Sequence, residues 1–104
     1  MIEQLLVVAR GLNHRFPEGS TPFQIMTRLL EECGELAQQV NIFEGTGIKR
    51  EKNGEPDREK LAKEIAHVLV CAVHTCIYYG VEAEVEASLE WSYKRLKSEG
   101  HIIE

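Results

Sequence analysis

The stretch Lys63-Glu64-Ile65-Ala66-His67-Val68-Leu69-Val70-Cys71-Ala72-Val73-His74-Thr75-Cys76, KEIAHVLVCAVHTC, decides the fold. Placed at about 100° per residue it is apolar nearly all round, so it reads as the most buried helix of a helical protein. Its polar residues are not scattered. Glu64, His67, Cys71, His74 and Tyr78 follow i, i+3, i+7, i+10 and i+14, a single stripe. A carboxylate in such a stripe needs partners, because an unpaired buried charge is very costly.

Punctuation on either side bounds this helix: Asp57 is placed to cap its start, and Gly80 to stop it after Tyr79. Upstream, Thr21-Pro22-Phe23-Gln24 offers a cap, a proline for the first helical position and a glutamine to close a capping box. Phe23, Met26, Leu29, Leu30, Cys33, Leu36, Ala37 and Val40 then recur at helical period, and this second helix should end near Phe43, before Gly45 and Gly47. A first helix is expected over Ile2 to Asn13, giving way at RFPEGS, and a last one over Glu82 to Ser98, stopped at Gly100. The segment EGTGIKREKNGEP, Glu44 to Pro56, with three glycines and mixed charge, reads as a mobile surface loop. No strand-like alternation interrupts this order. An all-α protein is expected, a four-helix antiparallel bundle forming one domain over residues 1–104.

Composition excludes several function classes. With 104 residues, 43% hydrophobic, and a net charge of −5, the chain is one acidic domain whose scattered bases leave no footprint for nucleic acid. The one dense basic run, Lys49-Arg50-Glu51-Lys52, is broken by acid. MIEQLLVVARGL lacks the basic lead-in and cleavage site of a signal peptide, and no run reaches the ~18 apolar residues of a membrane span. Cys33, Cys71 and Cys76, an odd number without CxxC spacing, suit a reducing cytoplasm and read as small core residues rather than reactive thiols.

On the second helix, Glu32 and Glu35 lie one turn apart, the same spacing as Glu64 and His67 on the third. Side-by-side packing of the two helices would bring three carboxylates and an imidazole together. Carboxylates within ~4 Å repel by about 4 kcal/mol per pair at an effective dielectric of about 20, so convergence implies a divalent cation among them. The same residues also suit a plainer arrangement. Glu32 could pair with Arg28 on a solvated face, and His67 could be a core histidine bonded to a backbone carbonyl.

EECGE (Glu31, Glu32, Glu35), followed after a loop by a helix opening with KEIAHVL (Glu64, His67), resembles the EExxE…ExxD signature of the MazG-like, all-α nucleoside triphosphate pyrophosphohydrolases. The downstream YYGVEAEVEASLEWSYKRLKSEG is similar to that family's last core helix, so the likeness covers roughly residues 21–100. It implies a cytoplasmic enzyme that cleaves a nucleoside triphosphate to the monophosphate and pyrophosphate, with Mg²⁺ held by Glu32, Glu35, Glu64 and the residue at the last motif position. That position holds His67 where the family has aspartate. Imidazole suits Zn²⁺, Fe²⁺, Co²⁺ or Mn²⁺ better than Mg²⁺. Asp57, the one aspartate in the chain, lies about two turns before Glu64 and is no easy substitute.

The resemblance also implies a catalytic carboxylate, Glu31 or Glu35, and cations for the phosphates, Arg28, Lys94 and Arg95, with Lys49 and Lys52 as weaker candidates. Phe16, Phe23, Tyr78, Tyr79 and Trp91 are available for a base, and His74 for a supporting role. The family's dimers and tetramers imply a homodimer or homotetramer here. Two other classes compete. Glu64-x-x-His67 is also the unit of carboxylate-bridged di-iron bundles, which use two such units. A helical interaction module that kept the fold without turnover is the third.

Overall fold

In the computed structural model, residues 2–46 and 54–104 are described, and they hold four α-helices and no strand. The expectations for Gly47, Lys49 and Lys52 lie outside the described residues. Helix α1 runs Ile2–Arg15, α2 Pro22–Glu44, α3 Arg58–Tyr79 and α4 Glu82–Ser98; a 3₁₀ turn, Pro17–Gly19, links α1 to α2. The chain is all-α, as its periodicity requires.

The helix ends follow from local chemistry. Thr21 accepts from the Gln24 amide, while the Gln24 side chain accepts from the Thr21 amide at 3.1 Å and Pro22 opens the helix, so the capping box forms in full. The Asp57 carboxylate accepts from the amides of Glu59 and Lys60 at 2.9 and 3.3 Å and starts α3. Gly80, at φ 64°, ends it in the left-handed conformation that an L side chain adopts only at a cost.

Helix α3 is the hub: it packs along α2, along α1 and against the start of α4. The packed interior is nonetheless small. Among the described residues Ala9, Ile25, Ile42, Cys71 and His74 are buried, and α4 buries none. Helix α4 flanks α1, with Arg10 paired to Glu82 at 3.5 Å and Ile2 facing Leu89 and Tyr93 across a groove. The result is a flat slab of 44 × 44 × 20 Å with a radius of gyration of 16.8 Å, well above the ~13 Å of a compact chain this long.

Two expectations change. Helix α2 covers only part of its expected apolar set: Phe23, Met26, Leu30, Cys33, Ala37 and Val40 are all exposed, while Leu29 and Leu36 pack inward with Ile25, Ile42, Arg28 and Glu32. Cys33 is therefore no core residue; Cys71 is, and Cys76 is half-buried. Helix α3 is also long and apolar enough, by length and composition, to cross a membrane, which contiguous apolar counting does not reveal. Within the chain 11% of that apolar window is buried, so α3 is not the deeply buried helix that its composition suggests.

Removing the α3 cap isolates its contribution. Asp57→Ala is expected to lower unfolding stability by about 1 kcal/mol, measured by urea denaturation followed by circular dichroism.

Candidate metal centre

Helices α2 and α3 lie side by side, and the one-turn pairs on each meet. Ligand atoms of Glu32, Glu35, Glu64 and His67 all lie within 4.8 Å of one another. His67 Nδ1 donates to Glu32 Oε2 at 3.1 Å and lies 3.8 Å from Glu64 Oε2. Since an ionised carboxylate only accepts, this bond puts the proton on Nδ1. Glu32 and Glu64 are largely covered, with 19% and 15% of their side chains exposed; Glu35 is exposed and His67 half-buried. Glu64 Oε2 is buried without a hydrogen-bond partner. An orphaned, buried carboxylate oxygen beside two further carboxylates and an imidazole is a donor set that fits a divalent cation.

The plainer arrangement is not the one adopted. Arg28 does not pair with Glu32; its guanidinium donates to the Gly19 carbonyl at 2.9 Å, tying the interhelical turn to α2. Nor is His67 the histidine on a backbone carbonyl. That is His74, buried, whose Nε2 donates to Ala9 O at 2.9 Å and pins α3 to α1. The second histidine of the stripe is thus tied to α1, and its Nδ1 is buried without a hydrogen-bond partner.

Beside the carboxylates opens a cleft of about 580 Å³ between α1, α2 and α3. Glu32 and His67 belong to both the cluster and the cleft. Val8, Leu12, Phe16 and Val70 give the cleft apolar walls, and Arg28 lies at its polar side. Asn13 and Ser20, joined by a 3.0 Å bond from the serine hydroxyl to the asparagine oxygen, also line it. Neither residue stands out in the sequence, because only the turn after α1 brings them together. The Cys71 thiol on the cleft lining has its pKa raised, first by burial and next by the nearby Glu32 charge.

Other candidate residues lie elsewhere. Glu31 is exposed and lines a separate groove with Phe23, Gln24, Thr27 and Arg28. Lys94 and Arg95 are exposed on α4, paired with Glu90 and Glu99, and Arg95 also stacks over Trp91. Tyr78 and Tyr79 meet edge-on and are exposed, as are Phe23 and Trp91; of the five aromatics only Phe16 lines the cleft. Compared with protein-family models, curated proteins and solved structures, the chain finds no match.

The cluster's electrostatics give a stability signature. Without divalent ions, Glu64→Gln removes one of three mutually repelling carboxylates and is expected to raise the melting temperature by roughly 5 °C. Adding Mn²⁺ or Mg²⁺ should raise the wild-type midpoint and leave the variant's nearly unchanged, as read by differential scanning fluorimetry in chelator and in metal.

Proposed function

We propose that the protein is a metal-dependent nucleoside triphosphate pyrophosphohydrolase, cleaving its substrate to the monophosphate and pyrophosphate. The observation that carries this reading is the convergence of Glu32, Glu35, Glu64 and His67 beside an apolar-walled cleft that Glu32 and His67 also line. A triphosphate needs concentrated cationic charge and a nucleoside needs an apolar slot, and the two features adjoin. The resemblance of EECGE and KEIAHVL to the MazG-like signature points the same way.

In this reading Glu32, Glu35, Glu64 and His67 hold the cation, which when bound neutralises phosphate oxygens and lowers the pKa of water. Glu35, the exposed member of the cluster, orients the attacking water and takes its proton as the oxygen bonds to the α-phosphorus. The bond from that phosphorus to the bridging oxygen breaks, and pyrophosphate leaves. Arg28 spends one guanidinium N–H on Gly19 and has others to offer a phosphate. Glu31, facing the neighbouring groove, is the less suitable base. Lys94 and Arg95 would serve only if α4 of another copy brought them to the cleft.

The donor set also bears on the metal. Three carboxylates suit Mg²⁺, whereas the imidazole favours Mn²⁺ or Co²⁺. A single imidazole in the cluster disfavours the di-iron reading, whose sites use two. The uncovered apolar surface on α2 and α4 supports assembly as a homo-oligomer with a completed bundle.

Pyrophosphate release over a panel of nucleoside triphosphates, with Mg²⁺, Mn²⁺ and Co²⁺, tests the proposal. Turnover is expected with at least one metal, and Glu35→Gln should reduce kcat by about 100-fold or more. Full activity in Glu35→Gln would remove the site. A silent natural protein beside an active His67→Asp variant would make this a binding module rather than an enzyme.

A further inference from the structure

Six apolar residues of α2 lie on a side that no other described part of the chain covers. Phe23, Met26, Leu30, Cys33, Ala37 and Val40 are exposed, Phe23 by 85% and Leu30 by 67%. Their spacing is i, i+3, i+7, i+10, i+14, i+17, the alternating three and four of a coiled-coil seam, held without interruption over most of the helix. This set is separate from the side of α2 that carries Arg28 and Glu32 to α3. Helix α2 thus has two interfaces, and the chain fills one.

We propose that the seam is filled by α2 of a second copy, running antiparallel about a twofold axis that crosses between Glu31 and Glu32. The inference goes beyond the general expectation of a homo-oligomer by fixing the surface, the direction and the register. Size complementarity sets the direction. In the antiparallel register Phe23 meets Val40, Met26 meets Ala37 and Leu30 meets Cys33, so every layer pairs a larger side chain with a smaller one. A parallel pair would set Phe23, Met26 and Leu30 against their own copies at one end and Cys33, Ala37 and Val40 at the other. Such a seam is overfilled at one end and hollow at the other.

Charge points to self-association as well. The positions flanking the seam are Thr27, Gly34 and Asn41 on one side and Leu29, Leu36 and Phe43 on the other. None is charged, so two copies of this acidic chain meet there without like-charge repulsion, and a charged partner finds nothing to steer it. At Gly34 the space beside the helix is open, which lets two backbones approach. Because Glu32 faces α3 and not the seam, the two carboxylate clusters lie on the outer sides of the paired helices, each beside its own α3.

Light scattering and disulfide trapping test the proposal. The protein is expected to have at least twice the 11.8 kDa mass of one chain, and Leu30→Glu should lower that mass at micromolar concentration while keeping its helical circular dichroism. In a Cys33→Ser background, Met26→Cys combined with Ala37→Cys should give a disulfide-linked dimer under mild oxidation, and Met26→Cys alone should not. A monomeric natural protein would overturn both the seam and the oligomer. An oligomer whose mass Leu30→Glu leaves unchanged would overturn the seam alone. Ready cross-linking through Met26→Cys alone would overturn the antiparallel direction.

Discussion

Three carboxylates from two helices approach to within 4.8 Å of one another with one imidazole between them, and the rest of the structure is arranged around that contact. The largely covered Glu32 and Glu64 repel most strongly, exposed Glu35 is better screened by solvent, and the one hydrogen bond from His67 to Glu32 offsets part of the repulsion. Helix α2 is apolar on two sides: Ile25, Leu29, Leu36 and Ile42 pack inward beside the carboxylates, and Phe23, Met26, Leu30 and Val40 stay outward. A cation held by the inward carboxylates and a second copy against the outward side, both as proposed above, would each relieve one of these penalties.

What the sequence discloses is what short-range chemistry governs. Thr21, Pro22, Gln24, Asp57 and Gly80 act within a turn of themselves, so the helix starts and stops they imply appear in the structure. The meeting of Glu32 and Glu35 with Glu64 and His67 was legible for a similar reason: one-turn spacing on two adjacent helices fixes the group once they pack. Cys33 was misplaced because an apolar period identifies a face to be covered without saying which molecule covers it. Asn13, Ser20 and Phe16 were not legible as a group, or only in part, since their meeting depends on the path of the Pro17–Gly19 turn. The Arg28 bond to Gly19 belongs to the same turn and replaces the i, i+4 pair that spacing suggests.

The two histidines of α3 show how partners separate equal spacings. His67 and His74 lie two turns apart on one stripe, and both line the cleft. His74 donates to a carbonyl of α1, a bond whose loss would leave a buried acceptor, and so it fixes the helix that forms the cleft's wall. His67 donates to a carboxylate and is half-exposed. Its partner can be exchanged with little packing cost. The Nδ1–H serves Glu32 in the tautomer described; in the other neutral tautomer, with the proton on Nε2, Nδ1 would offer a lone pair to the cluster. An aspartate at this position would add a fourth negative charge to three that already repel. Histidine keeps the donor count while reducing that repulsion, and a cation bound there would be one that accepts nitrogen as well as oxygen.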